Sequence, residues 1–209
     1  MDMSTKGERT RAAILETAVD ISSVEGLDGL TIGRLAKSVS MSKSGLFGHF
    51  GSKEELQLAT IVAAREIFIR EVIAPALEAP RGLQRLWALC DGWLSYMERE
   101  VFPGGCFFMS TSMEFDHKPG LIKDAIVANN RDWLNYLTVA TQMAQEQSEI
   151  RTNIEPAQLV FELHGMYMSA NWEYQLFDDK VIGKRARFAI LTRLYGVATS
   201  DSPSLPPLP

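Results

Sequence analysis

TIGRLAKSVSMSKSGLFGHFGSK, residues 31–53, is the stretch on which the reading of this chain turns. Thr31 carries the short hydroxyl side chain that caps a helix N-terminus. Behind it Ile32, Leu35 and Ala36 recur at helical spacing, so a short helix spans about residues 31–39. Ser40, Met41 and Ser42 leave room only for a tight turn, and a second short helix follows over about residues 43–49. Gly51 breaks the chain, and Ser52 with Glu55 three positions on has the form of a capping box opening another helix. Two short helices joined by a turn, the second rich in small polar residues and lysine, form the pattern of a helix-turn-helix. Such a unit lays its second helix in the major groove of DNA. Ser42, Lys43 and Ser44 stand at the N-terminus of that helix, where backbone N–H groups and the helix dipole add to the attraction for phosphate.

Charge separates this stretch from the rest. The net charge is −5, yet residues 31–53 hold Arg34, Lys37, Lys43 and Lys53 and no acid, a local +4 that leaves −9 on the remainder. A basic patch on an acidic body suits a surface that docks on phosphate, because only the docking face has to attract it. A solvated charge cluster is the plainer reading of the same numbers.

Outward from the motif, helical spacing dominates and strand signals are nearly absent. Ile14, Leu15, Ala18 and Ile21 share one face of a first helix that stops near Gly26. The helix capped by Ser52 runs through Leu56, Ala59, Val62 and Ala63 towards Ile73, with Pro75 expected to end it. Longer helices follow over about residues 83–101, 121–147, 155–177 and 180–197, with a short apolar segment at residues 106–115. Composition is that of an ordinary globular protein (46% hydrophobic, 22% charged), and no apolar run reaches the length of a membrane span. The first residues lack the apolar core of a signal peptide, so the cytoplasm is the expected location.

The stretch ILETAVDISSVEGLDGLTIGRLAKSVSMSKSGLFGHFGSKEEL, residues 14–56, closely resembles the N-terminal domain of the tetracycline-repressor (TetR) family. The matching elements are Ile14-Leu15, Ala18, Gly26, Thr31, Leu35-Ala36, Ser42, Leu46-Phe47, His49-Phe50 and Ser52-Lys53-Glu54, and the likeness covers about residues 8–68. It implies an all-α chain of about nine helices. The N-terminal three-helix DNA-binding domain would occupy residues 8–68 (helix-turn-helix about 31–50), and a helical ligand-binding and dimerisation domain residues 69–199. The tail SDSPSLPPLP, residues 200–209, is expected to be disordered. The resemblance also implies roles. Thr31 would touch phosphate. Lys43, Ser44 and Gly45, with Ser42 ahead of them, would face base edges or nearby phosphates. Phe47 and His49 would lie along the DNA backbone, and Lys53 would clamp a phosphate. Leu46 and Phe50 would be core.

Four positions depart from the family pattern. Phe47 stands where tyrosine is usual, removing a phenolic contact to phosphate. Gly45 stands where threonine is common, which trades a side-chain contact for closer backbone approach. Ser40 replaces a turn glycine, which is tolerable if the turn avoids a strongly left-handed geometry. Ser22 replaces a core aromatic, leaving a smaller side chain to fill that space.

In the second half the resemblance is architectural only. Leu159, Leu163, Gly165, Ala186, Ala189 and Leu194 lie on apolar faces with small residues, suited to a two-fold interface between copies or to the monomer core. Trp87, Trp93, Phe107, Phe108, Met113, Trp133, Tyr136, Met166 and Tyr167 suit a cavity for a small apolar effector, or ordinary core. The expected partners are therefore a palindromic double-stranded DNA operator, a small-molecule effector and a second copy of the chain, with no membrane. Neither a catalytic constellation nor a metal-binding spacing emerges, and no cofactor is expected: three histidines sit in unlike contexts, and Cys90 and Cys106 are unlinked. Glu114 and Asp116 read as solvated loop carboxylates, because residues two apart on a helix face different ways. Two other functions stay open from the residues: a redox-responsive regulator acting through Cys106, and a helical adaptor that binds no DNA.

Overall fold

A computed structural model of the chain describes residues 6–209. Among the described residues all regular structure is helical apart from one isolated bridge between Ile150 and Ala198. The helices are α1 (Lys6–Glu25), α2 (Ile32–Ser38), α3 (Lys43–Phe50), α4 (Lys53–Phe68), α5 (Ala74–Leu77), α6 (Leu83–Glu98), α7 (Phe107–Phe115), α8 (Leu121–Glu146), α9 (Pro156–Phe177) and α10 (Ile182–Val197). A π-helical turn at Ile69–Ile73 joins α4 to α5 without a break, so these elements form nine separate rods. The chain divides into two compact units. One runs up to Ile67 and takes in Phe102–Asn129; the other combines Phe68–Val101 with Asn130–Pro209.

In the first unit the caps expected at Thr31 and Ser52 are in place, and Ser42 supplies a third. The Thr31 hydroxyl accepts from the Arg34 N–H (3.1 Å) and the Ser42 hydroxyl from the Gly45 N–H (3.0 Å), so α2 and α3 each begin on a satisfied donor. Ser52 caps the Glu55 N–H (3.0 Å), but the reciprocal arm of the capping box is absent, because the Ser52 N–H goes to the Phe50 carbonyl instead (2.7 Å). Leu35, Ala36, Leu46 and Phe50 face inward and meet Ile14, Ala18, Leu27 and Leu30 in one core. The turn between α2 and α3 is left-handed at Ser40 (φ 54), the geometry that serine tolerates less well than glycine. The Met41 N–H reaches back to the Ala36 carbonyl (3.0 Å), closing a Schellman motif that demands this backbone at the residue between. Ser22 is fully buried, and its hydroxyl has no hydrogen-bond partner among the described residues.

The second unit is built on α6, α9 and α10, which pack together through Leu86, Leu89, Leu163, Tyr167, Ile190 and Leu194. Arg187 of α10 fastens it to α6 by donating to Asp91 (2.6 Å), Glu98 (2.7 Å) and Ser95 (3.0 Å). Three expectations need correction here. Pro75 does not end the helix: the π-turn before it widens the ring closure, with the Ala74 N–H on the Ile69 carbonyl, and accommodates a residue that lacks a donor. The tail is packed rather than disordered. Leu205 is buried, and the Tyr195 hydroxyl lies 3.0 and 2.9 Å from the Leu205 and Pro206 carbonyls, so an extended Pro-rich segment finds its partners on the protein surface. Leu159, Leu163 and Leu194 are buried within the chain itself and build its own core rather than a surface for another copy, while Ala186 is buried at the wall of the groove between α9 and α10. Gly165 is exposed and Ala189 half-buried on the outward sides of the same helices.

Candidate nucleic-acid interface

The exposed side of the helix-turn-helix follows from what its buried side requires. With Leu46 and Phe50 turned into the core, the 3.6-residue period sends Ser44, Gly45, Phe47 and Gly48 outward, and all four are exposed. Phe47 keeps 55% of its surface in solvent, a large apolar ring left largely uncovered. Thr31, Ser42, Lys43 and Lys53 are exposed as well, and His49 is half-buried beside Phe50 (ring centroids 6.3 Å apart). Arg11 of α1 lies over the other aromatic of that pair, 5.0 Å from the Phe50 centroid. Of the basic residues in the stretch, Arg34 is tied to Glu25, whose carboxyl its guanidinium holds below the usual range.

Lys53 opens α4, and its ammonium is fixed rather than free. It donates to the Asp28 carbonyl (2.6 Å) and to one Asp28 carboxylate oxygen (2.9 Å), while Lys118 donates to the other oxygen (3.0 Å). The two lysines hold the Asp28 carboxyl below its usual range. The loop bearing Asp28 is itself held. α1 ends at Gly26 (φ 84), so the next two amides project from the helix end, and Glu114 of α7 accepts both, from Leu27 (2.8 Å) and Asp28 (2.7 Å). The Gln57 side chain donates to the Leu27 carbonyl (2.8 Å) from the other side. Sequence spacing could not reveal this: Glu114 and the amides it binds are 86 and 87 residues apart, and on its own helix Glu114 reads as a solvated acid. Asp116, considered with it, is exposed.

The residues expected around an effector are only partly brought together. In the second unit Trp93 stacks on Tyr167 (5.0 Å, 29° between planes), and Trp133 lies against both Tyr167 (6.1 Å) and Phe68 (5.3 Å). The Tyr167 hydroxyl is buried beside the Cys90 thiol and has no hydrogen-bonded oxygen or nitrogen; burial pushes the Cys90 thiol up to about 12. His164 approaches the same ring edge-on at 6.4 Å, and burial lowers its pKa. Tyr136 is half-buried. Trp87 instead lines an outer groove of about 440 Å³ with the tail residues Ser204, Leu205 and Pro206, and Met166 lines another of about 280 Å³ between α9 and α10. Phe107 and Phe108 belong to the first unit, where they pack against each other (5.3 Å) and Phe107 meets Phe102 (6.0 Å); Met113, in that unit too, is exposed. Cys106 is buried. Among the described residues no group of three or more His, Cys, Asp and Glu is placed to hold a metal ion, and no helix is long and apolar enough to cross a membrane.

Known proteins share this arrangement. Residues 14–60 match the family model for bacterial regulatory proteins of the tetR family, and residues 82–190 match the tetracyclin repressor-like C-terminal domain. The HTH-type transcriptional regulator TcmR of Streptomyces glaucescens is 28% identical over 122 residues, 57% of this chain and 53% of TcmR, so the match spans about half the length of that relative. A TetR transcriptional regulator from Chloroflexus aurantiacus superposes with a TM-score of 0.85 at 22% identity, covering 92% of this chain and 98% of that one. AibR, solved in complex with isovaleryl coenzyme A and operator DNA, superposes with a TM-score of 0.71 at 22% identity, covering 90% and 98%. With a capped and exposed recognition helix at one end and both family models matched along its length, the chain belongs to the TetR family of helix-turn-helix, DNA-binding transcriptional regulators.

Proposed function

We propose that the protein is a cytoplasmic, homodimeric repressor that binds a palindromic operator and leaves it when a small apolar molecule occupies the second unit. The observation that carries the DNA-binding role of the individual residues is the exposed row Ser42, Lys43, Ser44, Gly45 and Phe47, flanked by Thr31 and Lys53 and free of acidic residues from 31 to 53. Lys43 and Ser44 read base edges; Thr31, His49 and Lys53 grip the backbone. Phe47, without a phenolic hydroxyl, offers an apolar edge instead.

Dimerisation is supported by the outward faces of α9 and α10. Phe161 (73%), Trp172 (53%), Phe188 (48%) and Met168 (38%) leave more apolar surface in water than a monomer usually tolerates. On the same surface a Cβ built at Gly165 would meet nothing within 4 Å. A glycine costs a helix interior about 1 kcal/mol relative to alanine, and close approach of a second helix gives it a use. Effector binding is supported by the Trp93–Tyr167–Trp133 cluster, an aromatic group whose polar atom, the Tyr167 hydroxyl, has only the Cys90 thiol beside it. AibR, a protein of this fold, has been solved in complex with isovaleryl coenzyme A and operator DNA, which supports a regulator that takes a small-molecule ligand as well as DNA. Two recognition helices of a dimer must sit about 34–36 Å apart to enter successive major grooves, so a modest change in their separation is enough for release. By reciprocity the operator must weaken the effector by the same factor.

The test has two parts. Sedimentation should give a dimer at micromolar concentration, and Gly165→Glu should give monomer; a stable monomer of 23.3 kDa for the unaltered chain removes the dimer. Apolar compounds screened by tryptophan quenching should then bind more weakly when operator is saturating. Hits indifferent to operator would contradict release by effector while leaving DNA binding intact.

A further inference from the structure

The phosphate clamp proposed for Lys53 has a support that neither its own helix nor the helix-turn-helix supplies. An ammonium has three donors. Two of those on Lys53 are engaged by Asp28, through its carbonyl and one carboxylate oxygen, which leaves one for a phosphate. The geometry is well aimed but the charge is not: Lys53 with Asp28 alone is a neutral pair, a poor attractor for an anion. Lys118, on the turn after α7, takes the second Asp28 oxygen (3.0 Å) and gives the Lys53–Asp28–Lys118 triad a net positive charge, the Glu114 carboxylate being met by two loop amides. The Lys118 ammonium also lies over the Phe115 ring, 4.8 Å from the centroid. Glu114, one helical turn earlier, holds the Asp28 backbone in place through the paired amide bonds. Both residues lie outside the stretch matched to the N-terminal family model, residues 14–60.

We propose that Glu114 and Lys118, held against the α1–α2 loop at Leu27 and Asp28, are positioning residues for DNA binding: Glu114 fixes the loop that orients Lys53, and Lys118 offsets the charge of Asp28 so that the clamp attracts phosphate. The inference rests on the DNA-binding role of Lys53. It makes the α7–α8 segment part of the DNA-binding unit in function as well as in packing, so that whatever shifts α7 alters the clamp directly. All three charged groups of the triad are about half exposed (44–50%), so each interaction is modest and screened by salt.

The experiment measures Lys118→Met, Lys118→Arg, Asp28→Asn and the double variant Asp28→Asn/Lys118→Met by fluorescence anisotropy on the DNA site that the unaltered protein selects, at low and high salt. Lys118→Met should weaken binding about threefold for each half-site, about tenfold for a dimer, at low salt, and less at high salt. Lys118→Arg should restore it. In the Asp28→Asn background, Lys118→Met should cause no further loss. Circular dichroism checks that each variant is folded, and Glu114→Gln, read by amide exchange, should speed exchange at Leu27 and Asp28. Unchanged affinity for Lys118→Met, or the same loss with and without Asp28, overturns the proposal while leaving DNA binding in place. If the unaltered protein selects no DNA site, the role of Lys53 fails and this inference fails with it.

Discussion

Replacing Ser40 with glycine should stabilise the protein. The residue is exposed and sits at φ 54 in the turn that separates α2 from α3, held there by the bond from the Met41 N–H to the Ala36 carbonyl. A left-handed backbone costs an ordinary L-residue roughly 1–2 kcal/mol, which glycine escapes because it has no Cβ. Against this, the unfolded chain gains freedom with glycine, worth up to about 1 kcal/mol. The net expectation is about 0.5–1 kcal/mol in favour of the variant, or about 2–3 °C in melting temperature for a chain of this size. Ser40→Val should move the other way by about 1 kcal/mol or more, since a branched Cβ suffers most in this conformation. Melting is followed by far-ultraviolet circular dichroism at matched protomer concentration, because association also shifts the midpoint. Neither change touches the Ser42 cap, so DNA affinity should be preserved in the glycine variant. A glycine variant no more stable than the parent, or a valine variant equal to it, would refute the argument that this turn is strained.

Two further outcomes follow from buried groups. Ser22→Ala removes a fully buried hydroxyl that has no partner among the described residues, and should raise stability by about 1 kcal/mol in the same melts; a loss would mean the hydroxyl is satisfied. Burial raises the Cys90 thiol from 9.0 to about 12, so native protein should resist iodoacetamide at pH 8 while urea-unfolded protein reacts. Because the folded state holds this proton more tightly than the unfolded state, stability is complete below about pH 9. It declines as pH rises through 9 towards 12, and Cys90→Ala should flatten part of that decline.

Local chemistry was the legible part of this molecule. Thr31 and Ser52 cap the helices they precede because a cap depends on residues three apart. The inward set Leu35, Leu46 and Phe50 follows from helical period, and the same period sends Phe47 outward. Features that depend on distant partners were misread or invisible. Leu159, Leu163 and Leu194 lie on apolar faces, and periodicity cannot say whether such a face meets its own chain or another copy. The Pro-rich tail carries no pattern of its own, yet Tyr195 and the groove by Trp87 supply what it needs to pack. The clamp network joins Asp28, Lys53, Glu114 and Lys118 from three stretches of sequence, and no spacing rule connects them. Aromatic content could not assign Trp87 and Met166 to outer grooves, or Phe107, Phe108 and Met113 to the first unit.

The most direct test of DNA recognition by residues 31–53 compares Lys53→Ala with Lys43→Ala on a site selected from random sequence and on unrelated DNA, across a range of salt. Lys53→Ala should weaken both DNAs about equally and lower the salt slope by about 1 for each clamp lost, as removal of a phosphate contact requires. Lys43→Ala should cost about 1–3 kcal/mol on the selected site, relax one of its positions and change binding to unrelated DNA far less. Equal losses on both DNAs for both variants would contradict the division between backbone grip and base reading, and retention of full affinity by both would remove this face of the molecule from DNA recognition altogether.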